Sequence, residues 1–216
     1  PVGMESQSGR GFDADMVSEI KRYLSTKKAV DNHNLSTKPV EPYVGVIHRL
    51  DKPVSGVMVY AKTKRAAAAL SEQVQSHKMK KIYTAVVHGR PLDAVDNYVD
   101  YLVKTPDGNY SQVVDKGITG AKKAELDYRV VDTAEQEGQE LSLVEIHLKT
   151  GRHHQIRVQF ASRKHPLAGD GKYGSRVKGS IALQSCGLQF LHPETGKPMA
   201  FTLPLPEGAF WKPFEE

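Results

Sequence analysis

A chain of 216 residues, 39% hydrophobic and 25% charged, has the make-up of a globular protein able to bury a sizeable core, which excludes wholesale disorder. No apolar run approaches the ~20 residues of a membrane helix, and a single cysteine, Cys186, excludes an internal disulfide or a cysteine zinc cluster. The net charge of +5 is uneven: residues 62–90 carry seven Lys/Arg against one acid, residues 149–178 carry eight against one, and residues 91–148 between them carry five against twelve.

In chain order, Asp13 to Lys27 places Met16, Val17, Ile20, Tyr23 and Leu24 at helical spacing, with Asp13 as N-cap. Residues 28–42 are polar, hold two prolines and read as a loop. Two short runs rich in β-branched residues, 44–47 and 57–60, read as strands. Between them lies HRLDKPVSG, His48 to Gly56, broken by Pro53 and Gly56: an ordered loop on a scaffold, where function concentrates. Thr63 caps a helix whose Ala66, Ala67, Leu70 and Val74 face the core. Residues 80–87 alternate as a strand, with Tyr83, Ala85 and Val87 on one face.

Further strands are expected at 97–103 and 110–114, around a turn with Asp107-Gly108, and at 124–131 and 141–148, around the acidic turn 133–139. Thr150-Gly151-Arg152 then leads into a helix from His153 to Arg163, with Ile156, Phe160 and Ala161 inward. Gly169-Asp170-Gly171 is too short for a nucleotide fingerprint and reads as a tight turn. Strands at 181–190 and 199–203, around the turn 192–196, complete the chain. Three helices among many strands indicate an α+β fold with a mostly antiparallel sheet, in a single domain spanning 1–216.

Asp51 is the carboxylate of the central loop, with Arg49 two residues before it and Lys52 directly after. Flanking cations favour a charged nucleophile or base over a general acid, although a structural salt bridge would use the same residues. His153-His154 invites a metal reading, but adjacent helical residues point ~100° apart and no cysteine or paired carboxylate accompanies them.

HRLDKPVSG resembles the HRLD-x-x-[ST]-S-G signature of the RluA family of pseudouridine synthases. Three further stretches resemble that family's motifs, in its order. They are Lys81-Ile82-Tyr83-Thr84-Ala85-Val86-Val87-His88-Gly89, the TGRHHQIRV of residues 150–158, and His165-Pro166-Leu167-Ala168-Gly169-Asp170 with Tyr173-Gly174. The resemblance implies a bent mixed sheet in two lobes with flanking helices and a central catalytic cleft. It also implies the short form of the family: a catalytic domain without a separate RNA-binding module. Beginning at Pro1 rather than Met, the sequence is expected to lack its natural start.

The implied activity is isomerisation of a specific uridine in structured ribosomal or transfer RNA, which calls for no cofactor, metal or energy source. RNA is the implied partner, the protein acting as a monomer without a membrane; the basic segments suit a polyanion, and cytoplasm is the expected compartment. By resemblance Asp51 is the nucleophile, Arg157 its pairing cation, and Tyr83 the residue that stacks on the target base. Arg49 would fill the space left by the flipped nucleotide, and His48, Arg152 and Gln155 would contact RNA. Val54, His153 and Gln184 depart from the residues usual at their positions, which bears on substrate choice. The alternative is an RNA-binding protein that keeps the fold without catalysis.

Overall fold

The computed structural model describes residues 1–8, 15–31 and 41–215. The elements follow in the order α1 (Met16–Asp31), β1 (Gly45–Val46), β2 (Ser55–Gly56), β3 (Tyr60–Ala61), α2 (Lys64–Gln75), β4 (Lys80–His88), β5 (Val95–Lys104) and β6 (Ser111–Val114). After these come β7 (Lys122–Gln136), β8 (Gln139–Leu148), α3 (Gln155–Ser162), β9 (Leu183–Leu191) and β10 (Pro198–Thr202). Three helices on a mixed sheet make this the expected α+β fold.

The sheet runs in the order β10-β9-β4-β8-β7-β5-β6, with β2 added alongside β9 in parallel. At its centre β4 pairs antiparallel with β8, setting Lys81 opposite Leu148 and Tyr83 opposite Ile146. Except for Ile82, every residue from Lys81 to Val87 is buried, so this strand is covered on both faces. One covering cluster gathers Val86, Leu141, Leu143, Ala168 and Ala182 beneath Trp211 and Phe214. On another part of the sheet Tyr98, Tyr128 and Phe160 meet in tilted and edge-on ring contacts. Arg163 lies 3.9 Å over the Tyr98 ring and pairs with Asp100, which fastens α3 to β5.

Several element boundaries differ from the expected ones; the strand expected at 57–60 is only Tyr60–Ala61, with Ser55–Gly56 pairing at the end of the loop instead. The acidic turn is only Glu137-Gly138, both at positive φ, so β7 and β8 form a two-residue hairpin and extend well into the expected loop. α3 starts at Gln155 because His154 takes a left-handed conformation at φ 52°, which leaves His153 and His154 off the helix and Arg157 in its first turn. Asp13 lies outside the described residues. The carboxylate that accepts from the first turn of α1 is Asp15, 2.7 Å from the Ser18 N–H. Thr63 caps α2 as expected, accepting from the Ala66 N–H at 3.1 Å.

The chain separates into two compact units: Pro1–Pro53, Met58–Met79 and Gln189–Ala200 in one, Val54–Val57, Lys80–Leu188 and Phe201–Glu216 in the other. In the first, β1 and β3 pair antiparallel, and the Gln73 side chain of α2 bonds both the N–H and the C=O of Leu191. In the second, Ser55 and Gly56 lie beside Gln184 and Ser185, an attachment that glycine alone allows. Gly56 has φ +137°, and a Cβ there would sit 2.3 Å from the Ser185 carbonyl oxygen. Gly56→Ala is therefore expected to lower the unfolding free energy by at least roughly 1–3 kcal/mol from backbone strain alone. An unchanged urea midpoint would show that β2 is not held on β9 in solution.

Candidate active site

In the first unit the loop that carries Asp51 is held by its own backbone on both sides of the carboxylate. The Ser6 hydroxyl accepts from the Leu50 N–H at 3.1 Å and lies 3.3 Å from the Leu50 carbonyl. The Lys52 carbonyl accepts from the Gly3 N–H at 2.8 Å. His48 braces the same loop, its Nε2 accepting from the Val59 N–H at 3.2 Å. Asp51 itself is half-buried, while Arg49 and Lys52 are exposed. The Lys52–Glu5 pair, at 3.8 Å and largely in solvent, adds little to the loop's order.

In the second unit Tyr83 and Arg157 are both buried, at 5% and 4% exposure. Arg157 lies on α3, whose residues from Gln155 to Phe160 are all buried. Its guanidinium grips the Asp170 carboxylate with two parallel bonds, Nε to Oδ2 at 2.7 Å and Nη2 to Oδ1 at 2.8 Å, a geometry that fixes the plane of the cation. The Tyr173 ring centroid lies 5.1 Å from the guanidinium carbon. The Tyr173 hydroxyl accepts from the Ser111 N–H at 2.8 Å and shares a 2.8 Å hydrogen bond with His154 Nδ1. Burial, with the Arg157 charge adding to it, pulls His154 down to about 3, so its imidazole is neutral. His153 stacks on it at 3.7 Å and bonds the Ser111 hydroxyl. The two histidines therefore anchor the start of α3.

Asp170 is the buried ion-pair partner that the reading of Gly169-Asp170-Gly171 as a mere tight turn misses. At 1% exposure it is the sealed counter-charge of Arg157. A signal for it existed, since it is the lone acid among the eight Lys/Arg of residues 149–178. The expectation gave Arg157 a partner in Asp51; its partner within the second unit is Asp170.

Gln155 also departs from expectation. Only 3% exposed, its Oε1 accepts from the Thr150 hydroxyl at 2.7 Å and the Arg152 N–H at 3.0 Å, and its Nε2 donates to the Glu125 carbonyl at 3.1 Å. Bracing the 150–152 turn, not contacting RNA, is the role this geometry supports. Arg152 is exposed, its Nε tied to the Lys123 carbonyl at 2.8 Å, so its guanidinium is held at the surface. Among the described residues no three His, Cys, Asp or Glu are grouped to hold a metal ion, and no helix is long and apolar enough to cross a membrane.

The family model described as RNA pseudouridylate synthase matches residues 1–162. Ribosomal large subunit pseudouridine synthase D of Neisseria meningitidis is 35% identical over 184 residues, which cover 78% of this chain and 47% of that protein. Ribosomal large subunit pseudouridine synthase C of Buchnera aphidicola is 33% identical over 215 residues, covering 95% of this chain and 62% of that one. The solved structure of Human RNA Pseudouridylate Synthase Domain Containing 4 has the same fold at a TM-score of 0.71 and 20% identity, covering 95% of this chain and 83% of its own. The chain spans about half the length of the curated relatives it matches. With a family model matched over residues 1–162 of 216 and relatives about one-third identical, the chain belongs to the RNA pseudouridylate synthase family.

Proposed function

We propose that this chain isomerises a uridine in large-subunit ribosomal RNA to pseudouridine, acting as a monomer in the cytoplasm. In the reaction the N1–C1′ bond breaks, the uracil turns, and a C5–C1′ bond forms while C5 loses a proton and N1 gains one. Atoms and charge balance without a cofactor. Asp51 supplies the anion at C1′, Arg157 favours its ionised form, and Tyr83 stacks on the uracil and sits where the C5 proton is lost. Arg49 fills the space vacated by the flipped nucleotide, and Arg152 contacts phosphate. His48 orders the Asp51 loop.

The observation that carries this reading is the buried Arg157–Asp170 pair. A buried ion pair gains little over apolar packing of the same volume, so stability alone does not account for it. A guanidinium with a fixed plane, in the same unit as a buried tyrosine, is what an anionic reaction centre needs. Two relatives named as acting on the ribosomal large subunit support ribosomal RNA as the substrate.

The purified protein, incubated with large-subunit ribosomal RNA and separately with transfer RNA, is expected to give carbodiimide-dependent primer-extension stops at a uridine of the former. Stops only in transfer RNA would move the substrate assignment. Tight binding without any stop would favour a non-catalytic RNA-binding protein on this fold.

Tyr83→Phe separates stacking from proton transfer. The ring still offers its face, a contact worth about 1–3 kcal/mol per base, but the hydroxyl is gone. RNA affinity is expected to stay near wild type while turnover is lost. Parallel losses in affinity, turnover and thermal midpoint would make Tyr83 a packing residue.

A further inference from the structure

Lys81 has a buried stem and an ammonium that keeps contact with solvent beside the exposed Gly151. It is 8% exposed, and no hydrogen bond or ion pair reaches its ammonium among the described residues. Lysines are almost never buried unless paired, and burial disfavours the charged form. The Lys81 ammonium is accordingly pushed below the usual lysine range by desolvation. Nothing in the mechanism proposed above uses it.

Its surroundings give it a use. Lys81 and Tyr83 are two residues apart on β4, so both side chains leave the same face of the sheet, about 7 Å apart along the strand. The ammonium reaches the 150–152 turn, where an ideal Cβ on Gly151 would lie 3.4 Å from Nζ. Gly151 is exposed, and its N–H makes no hydrogen bond among the described residues. A side chain at this position would come into van der Waals contact with the ammonium. Arg152, next in sequence, is held at the surface by the Lys123 carbonyl. The Lys81 ammonium thus opens on an exposed turn that has no side chain at Gly151 and has Arg152 next in sequence, on the sheet face that presents Tyr83.

We propose that Lys81, Gly151 and Arg152 form a seat for a backbone phosphate of the RNA, adjoining the nucleotide that Tyr83 stacks upon. The proposal rests on the synthase reading for the identity of the polyanion and for the role of Tyr83. The phosphate supplies the counter-charge that the fold withholds from Lys81. Phosphate suits the site better than the uracil ring, because the ammonium is directed to the exposed turn rather than deeper along the strand.

The experiment compares wild type, Lys81→Met and Lys81→Arg by RNA affinity as a function of salt and by thermal unfolding, using a large-subunit ribosomal RNA stem-loop. Met removes a partly desolvated charge while keeping nearly the length of the side chain, so Lys81→Met should melt at or above the wild-type temperature. Its RNA affinity should nonetheless fall about tenfold at low salt, as for loss of one charge-assisted hydrogen bond. Loss of one phosphate contact should also flatten the slope of log K against log salt by about 0.7–0.9. Lys81→Arg should keep the slope. A merely structural lysine would lower melting temperature and affinity together and leave the slope unchanged, and that result overturns the seat. Tritium release from ring carbon five by the wild-type protein is read in parallel. Release with an unaltered Lys81→Met slope sinks the seat and leaves the synthase reading standing. A flattened slope without any release does the reverse.

Discussion

Asp51→Asn is expected to fold and bind RNA like the wild type but to lose turnover by at least roughly 10⁴-fold, the scale on which removal of a covalent nucleophile is felt. The amide nearly matches the carboxylate in size and keeps one of its two acceptor oxygens, but it brings no negative charge to C1′. The loop around it is held by groups that the substitution leaves alone: the Leu50 N–H on Ser6 and the Gly3 N–H on the Lys52 carbonyl. Structural damage should therefore be slight, and circular dichroism should match the wild type. Release of tritium from ring carbon five of the substrate uridine reads the chemistry directly. Release by Asp51→Asn at close to the wild-type rate would remove Asp51 from the mechanism. A folded variant that has lost RNA affinity as well as turnover would make Asp51 a binding group.

Legibility in the sequence followed the range of the physical signal. Strands of apolar residues interspersed with polar ones, such as residues 141–148, and a helix with a hydroxyl cap at Thr63 depend on neighbouring residues, and they occur where local pattern places them. Boundaries set by distant partners were not legible. α3 begins late because the residues before it are claimed by Ser111 and Tyr173, 42 positions before and 19 after the histidines they bond. The extension of β7 to Gln136 depends on β8 accepting its pairing, which outweighs the polar composition of that stretch. The chemistry divided in the same way. Asp51, Tyr83 and Arg157 were singled out by motif, whereas the bracing by Gln155 was not legible because its amide donates to the Glu125 carbonyl, thirty residues away. Lys81 stood in a recognised motif, but the absence of an ion-pair partner for it among the described residues is a fact of the tertiary structure.

Asp170 was similarly concealed, and Arg157→Met should make its role visible as a loss of stability. Removing the guanidinium strands a carboxylate that is 1% exposed. Breaking a buried pair from one side costs roughly 3–5 kcal/mol, because the remaining charge has neither water nor a counter-ion. The Tyr173 ring would lose its cation contact as well. The urea midpoint is the measurement, and an unchanged midpoint would mean the pair is open to water in solution. Arg157→Met combined with Asp170→Leu removes both charges. If desolvation is the cause, the double variant should recover most of the lost stability, since buried pairs replaced by apolar groups are often neutral or better. Asp170→Asn is the complementary probe, because it keeps the Arg157 charge but loosens the bidentate grip. With Asp170 as a positioning residue for Arg157, turnover should fall in Asp170→Asn while RNA affinity holds. A variant that loses stability yet turns over normally would make the pair structural only, and Arg157 would need another source of orientation.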